Sequence, residues 1–298
     1  MTVTDPETLV GLSESAEETE LRRRRWARDR ELRAPRSPQA LSTADFLTLG
    51  NAVCGFLAIY SITTNMLIPH ITGTGDGSGG GMVRHGAATA VTLLLLGSMC
   101  DLFDGLVARK LRSSALGAEL DNLADLISFG IAPAYFVAVW GIVSPGSNQG
   151  LSAFIALTVL LAVVLRLARF SAVKMRPGVF QGMPCPMGAM TVIAIVLLDP
   201  PFLAGLVAIF GVAYLMVSQV EYPKPQGLLA TATLAWIVVS IGCLAAWAAG
   251  LPGGDVLMHI GAVAQIALAA MAPLLVIRRK VGQKVGDVRA RRAESRGC

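Results

Sequence analysis

The chain has 298 residues, of which 54% are hydrophobic and only 15% charged, with a formal net charge of +5 and a mean hydropathy of +0.61. A soluble domain carries roughly a quarter charged residues, so this composition excludes an ordinary soluble enzyme and describes an integral membrane protein. The five cysteines (Cys54, Cys100, Cys185, Cys243, Cys298) are scattered and the three histidines (His70, His85, His259) are isolated, which argues against a disulfide framework, a cysteine-type metal site and a histidine general base.

Residues 1–43 are polar. An acidic stretch (Glu14, Glu17, Glu18, Glu20) runs into Arg22, Arg23, Arg24, Arg25, Arg28, Arg30, Arg33 and Arg36. No apolar core with a small-residue cleavage site follows at signal-peptide distance, so a signal peptide is not expected. The segment reads as a surface-lying or disordered arm able to touch anionic headgroups, at roughly 1 kcal/mol per basic residue near the surface.

A membrane helix needs about 20 predominantly apolar residues. Candidate spans are 44–68, 86–108, 118–142, 151–172, 184–198, 201–219, 227–249 and 256–277, the fifth short and bracketed by Pro184, Pro186, Pro200 and Pro201. A Gly-rich polar loop (73–81) separates the first two, and Pro252-Gly-Gly254 is a further turn. The expected fold is therefore all-α, a polytopic bundle of about eight transmembrane helices. With both termini cytoplasmic, every lysine and arginine except Arg84 falls on a cytoplasmic segment. That asymmetry supports the even span count, and it explains the sequence pI of about 9.1 without any nucleic-acid partner.

The topology places residues 101–125 at the end of one span, a short cytoplasmic turn around 110–116, and the start of the next. Four aspartates lie there: Asp101, Asp104, Asp121 and Asp125. Carboxylates beside membrane-length apolar runs are expensive to desolvate, so something must offset the cost. Asp101 and Asp104 are i, i+3 on one helix, with Gly105 and Ala108 continuing the face and Arg109 one step round. Gly117, Asp121 and Asp125 are i, i+4, i+8 on the next helix. Two antiparallel helices joined by a short turn would bring the two stripes together. Four converging carboxylates repel one another unless cations neutralise them. The ligands are all oxygen, which points to two hard divalent ions, Mg²⁺ or Mn²⁺, with Ca²⁺ a possible competitor. Mg²⁺ held this way usually binds substrate phosphates as well. Gly105 and Ala108 let a diphosphate approach the backbone, Arg109 offers a fork of donors, and Ser113 and Ser114 add hydroxyls. Glu119 lies on another face and reads as solvated.

The run Asp101-x2-Asp104-Gly105-x2-Ala108-Arg109-x7-Gly117-x3-Asp121-x3-Asp125 resembles the signature of the CDP-alcohol phosphatidyltransferases. Its turn is one residue shorter than usual, so that counting back from Gly117 favours Ser114 as the family's phosphate-contacting serine. The resemblance implies a transferase acting on a CDP-linked lipid and a small alcohol. It makes Asp101, Asp104, Asp121 and Asp125 metal ligands, with Asp125 also the general base, and it lines the nucleotide diphosphate with Gly105, Ala108, Arg109, Ser114 and Gly117. Thr48-Leu-Gly-Asn51-x3-Gly55 resembles the start of the family's first helix, where the asparagine reaches the cytidine. The family resemblance covers about 44–224 and implies a homodimer; with the charge and hydropathy pattern it divides the chain into an arm (1–43), a catalytic membrane domain (44–224), a C-terminal helix pair (225–277) and a basic tail (278–298).

Three further segments resemble the membrane-embedded phosphatidylserine synthase branch of that family: 126–134 (Leu-Ile-Ser-Phe-Gly-Ile-Ala-Pro-Ala), Arg166-Leu-Ala-Arg169-Phe170, and Phe180-x-Gly182-Met-Pro184-Cys-Pro186. They imply CDP-diacylglycerol as donor and L-serine as acceptor. Independently of kinship, Arg166 and Arg169 (i, i+3 at a cytoplasmic helix end) can hold an anionic acceptor or a lipid phosphate, although plain positive-inside anchoring accounts for them too. Ser128 is a candidate acceptor contact, and Gly182, Pro184 and Pro186 read as shaping the chain. A phosphorylated acceptor, such as inositol phosphate or glycerol phosphate, would want more cations. A cation or proton-coupled transporter would place its acids near the bilayer midplane, whereas these cluster towards one face. The expected location is the cell membrane, multi-pass among membrane lipids, with the site at its cytoplasmic face.

Overall fold

A computed structural model describes residues 43–73, 80–108, 116–144, 146–172, 179–223 and 227–273. Helix α1 runs from Thr43–Ile62 through a π-turn at Thr63–Leu67 into Ile68–Thr72, and ends on Gly73 in the left-handed conformation (φ 64°). Helix α2 is Gly80–Ala108. Helix α3 comprises Gly117–Asp125, a π stretch Leu126–Ile131 and Ala132–Val143. Helix α4 is Gln149–Ala172, α5 Cys185–Leu197, α6 Phe202–Val217, α7 Leu228–Ala248 and α8 Gly254–Pro273.

Both π stretches lie just before a proline in the first turn of the segment that follows, Pro69 and Pro133. Proline removes a backbone donor and its ring crowds the carbonyl four residues back. A wider turn accommodates that ring without breaking the helix.

The protein is an all-α polytopic membrane protein. Six of these helices are long and apolar enough to cross a bilayer. The other two, α5 and α6, have 13 and 16 residues and reach only about 20 and 24 Å at about 1.5 Å per residue, short of a hydrocarbon core of about 30 Å. The shortfall falls where the prolines bracket the sequence. Two three-residue strands, β1 (Val179–Gln181) and β2 (Glu221–Pro223), pair antiparallel in the segments flanking these short helices, with Phe180 opposite Tyr222. An all-α expectation did not include them.

Helix α3 is the central element. Phe129, Phe136 and Val137 on it pack with Leu94 of α2, Val159 and Val163 of α4, Ile193 of α5 and Ile209 of α6. The outward rows are also apolar: Phe56 and Tyr60 on α1, Phe154 and Leu161 on α4, Phe210 and Tyr214 on α6 are all exposed. Large contiguous apolar surface of this kind suits a lipid solvent. Helices α7 and α8 are the least buried, and α7 attaches along α2.

Contacts at the two ends fit alternating passes. At one end Arg84, near the start of α2, meets Asp255 near the start of α8 (3.2 Å). Trp140, near the end of α3, donates to Asp199, between α5 and α6 (2.9 Å). At the other end Arg169, in the last turn of α4, donates to the carbonyl of Val217 at the end of α6 (2.9 Å).

Candidate active site

Helix α2 ends at Ala108 and α3 starts at Gly117, so the two expected helices are present, and the turn expected around 110–116 lies, but for Leu116, outside the described residues. Arg109, Ser113 and Ser114 lie outside the described residues. Asp104, Gly105 and Ala108 occupy helical backbone positions in the last turns of α2, which preserves their i, i+3 and i+4 relation to one another and to Asp101.

Asp101, Asp121 and Asp125 come together. Each offers a carboxylate oxygen, and these oxygens all lie within 4.8 Å of one another; all three residues are half-buried. The convergence expected of four carboxylates is thus seen for these three between α2 and α3, and the Asp104 side chain lies outside what is described. The Asp121 Oδ1 atom is buried and has no hydrogen-bond partner among the described residues. A buried carboxylate oxygen left idle beside two other carboxylates is costly. The set is all oxygen, of a kind that hard cations take. The cluster can hold a metal ion, and these residues fit one.

Asn51 completes the cluster from α1. Its side chain is fully buried and its Nδ2 donates to Asp125 Oδ1 at 3.2 Å. Ser128, one turn beyond Asp125 and also fully buried, donates its hydroxyl to the Asn51 carbonyl at 2.7 Å. The Ser128 hydroxyl therefore joins two helices, and its expected role towards an acceptor gains nothing from this contact. Gly55 makes the approach possible, since a Cβ there would stand 2.5 Å from Ser128 Oγ and 2.8 Å from its Cα. Gly97 on α2 does the same for Asn51, whose Oδ1 would lie 2.7 Å from a Cβ at that position.

Gly97 is not part of the motif, but it sits four residues before Asp101 and so on the same helical stripe. Asp45 and Thr48 are also buried (2% and 4% exposed), on the α1 face that carries Asn51. Their i, i+3, i+6 spacing to Asn51 is the signal that marks them. Glu119 is exposed, as its helical face predicts.

The two arginines occupy the same end. Arg166 is buried, donates through Nη1 to the Gln181 carbonyl (3.1 Å), and lies over the Phe170 ring at 4.6 Å. The charges of Asp125 and Arg169 both act on it, and the Cys185 thiol is within hydrogen-bonding reach. Gly182 threads between this guanidinium and α6 at φ 79°, where a Cβ would meet the Met216 carbonyl at 2.4 Å. The segment 179–184 is thus the bracket that seats Arg166. Its amides at Gly182 and Met183 donate to Val220 and Leu215 carbonyls (2.7 and 3.1 Å), and Pro184 is the residue from which α5 departs.

Comparison with known proteins follows the same residues. The sequence model of the CDP-alcohol phosphatidyltransferase family matches residues 41–243. A CDP-diacylglycerol–serine O-phosphatidyltransferase of Bacillus subtilis is 33% identical over 181 residues, covering 59% of this chain and 87% of that protein. The enzyme of the same name from Methanocaldococcus jannaschii is 29% identical over 185 residues (62% and 75%). An archaetidylserine synthase of Methanothermobacter thermautotrophicus is 32% identical over 145 residues (47% and 60%).

Proposed function

The chain belongs to the CDP-alcohol phosphatidyltransferase family, and on that premise we propose that it transfers a phosphatidyl group from CDP-diacylglycerol to the hydroxyl of L-serine, giving phosphatidylserine and CMP. The observation that carries this reading is the convergence of the Asp101, Asp121 and Asp125 carboxylates, with oxygens within 4.8 Å, on the two helices that carry the signature residues. The relatives whose names specify serine support the acceptor.

Asp101, Asp104, Asp121 and Asp125 would hold two Mg²⁺ or Mn²⁺ ions. Bound there, such ions supply charge neutralisation to a phosphoryl group in transfer. The chain's own residues do the rest. Asp125 takes the proton of the attacking serine hydroxyl as general base. The new bond joins that oxygen to the lipid-side phosphorus, the pyrophosphate P–O bond breaks, and CMP leaves. Arg109 and Ser114 donate to the diphosphate, while Gly105, Ala108 and Gly117 leave it room against the backbone. Arg166 and Arg169 place cationic charge near Asp125, where the serine carboxylate or the lipid phosphate would lie.

In this reading 44–224 is the catalytic unit, 225–277 an added helix pair, and 1–43 and 278–298 basic cytoplasmic segments. The charge asymmetry supports a site at the cytoplasmic face of the cell membrane, where CDP-lipid headgroups meet soluble serine. Family resemblance supports a homodimer. The test is CMP release from CDP-diacylglycerol by the purified protein in detergent, with Mn²⁺ or Mg²⁺, offered serine against inositol phosphate, glycerol phosphate and neutral alcohols. Serine-dependent CMP release is expected. Release with another acceptor alone reassigns the acceptor, and no release with any acceptor points to cation or proton transport.

A further inference from the structure

The family resemblance places Asn51 against the cytidine of the donor, but its surroundings describe another task. Its carboxamide bridges the two helices that carry the carboxylates. The nitrogen reaches Asp125 on α3 at 3.2 Å. The oxygen lies in the notch at Gly97 of α2, one turn before Asp101, where any Cβ would come within 2.7 Å of it. That oxygen is buried and has no hydrogen-bond partner among the described residues. An amide held with its acceptor idle has been oriented for its donor. The residue is fixed at its backbone too, through the Ser128 hydroxyl at 2.7 Å, which Gly55 admits. Its side chain is fully enclosed, so contact with a nucleotide would require it to leave both helices.

We propose that Asn51 is a positioning residue that fixes the orientation of the Asp125 carboxylate, with Gly97 as the notch that holds the amide in place. An uncharged donor suits this position, because it restrains the carboxylate without adding a cation to a cluster that must accept one. The proposal rests on the transferase reading for Asp125.

The experiment uses the full chain in detergent and four proteins: wild type, Asn51→Ala, Gly97→Ala and the double variant. Substrate-free Mn²⁺ binding by calorimetry is read beside kcat and the KM for CDP-diacylglycerol. Losing a hydrogen bond to a charged group predicts that Asn51→Ala lowers kcat about 10- to 100-fold and weakens Mn²⁺ binding severalfold, with the donor KM moved by no more than about twofold. Gly97→Ala reproduces that kcat loss by displacing the amide. It adds nothing in the Asn51→Ala background, where the clashing oxygen is gone and the next atom, Cys54 Cβ, is 3.5 Å away. A raised donor KM at unchanged kcat overturns the proposal in favour of a nucleotide contact, and additive losses in the double variant overturn it in favour of plain packing. If wild type releases no CMP, the transferase reading falls, and the Mn²⁺ isotherms alone decide whether Asn51 orients Asp125: an unchanged isotherm in Asn51→Ala rejects it.

Discussion

Helix α2 carries a charged group near each end, about 25 Å apart along its axis, and the two sites obey opposite rules. At Arg84 the charges satisfy one another: the guanidinium meets Asp255 at 3.2 Å and lies 5.8 Å from the Trp247 ring centroid, and the Trp247 indole donates to Asp255 at 3.0 Å. At Asp101 like charges are set face to face, with carboxylate oxygens within 4.8 Å and one buried oxygen of Asp121 idle. The first arrangement is complete as it stands. The second sets like charges together, a repulsion that a ligand of opposite charge relieves. The Arg84 site thus has a structural explanation, whereas the acid cluster has the arrangement of a site that takes a cation.

The sharpest way to break this contrast is at the acids. Asp125→Asn is expected to lower serine-dependent CMP release roughly a hundredfold to ten-thousandfold, the range of a lost general base, while the fold survives. Turnover near wild type in that variant would remove Asp125 from the chemistry. Chelation should abolish activity, with Mn²⁺ or Mg²⁺ restoring it. Asp121→Asn gives the diagnostic sign. It should abolish activity while the metal-free protein melts no lower than wild type in detergent, because the substitution removes a half-buried charge held beside two other carboxylates. A clear fall in melting temperature would show that Asp121 is held for structure.

Much of this was legible because the relevant physics is local. Apolar length marks spans, and a helical period of 3.6 residues places Asp121 and Asp125 on one stripe whatever lies around them. The cross-helix polar contacts of the site were less legible. Asn51 reaches Asp125 across 74 positions, and nothing within its own helix announces that partner. Gly97 shows its purpose only once α1 is laid against it. The β1–β2 pair joins segments too short to display a period, separated by two helices. The shortness of α5 and α6 could be read from the prolines, but not the bracket that their ends form around Arg166.

That bracket gives a test of intermediate size. Gly182→Ala places a Cβ 2.4 Å from the Met216 carbonyl at a positive φ of 79°. It should lower stability by about 2 kcal/mol or more and also reduce turnover by displacing Gln181 from Arg166. Gly55→Ala, aimed at the α1–α3 contact, should cost about 1–3 kcal/mol by overpacking against Ser128. If Gly182→Ala lowers melting without touching the serine KM or kcat, the bracket serves only the fold, and Arg166 is an anchor.

The smallest expected effect lies at the completed end. Arg84 and Asp255 are 36% and 61% exposed at their side chains, so screening limits the pair to at most about 1 kcal/mol. Arg84→Met removes the ion pair and the cation–π contact but keeps an apolar stem to lie along Trp247. It should shift melting by a degree or two and leave kcat and both KM values unchanged, since the site lies near the far end of α2. Asp255→Asn should behave alike and keep the indole hydrogen bond. A large loss of turnover in either variant would mean that the α7–α8 pair communicates with the aspartates along α2, and the two ends could no longer be treated as independent.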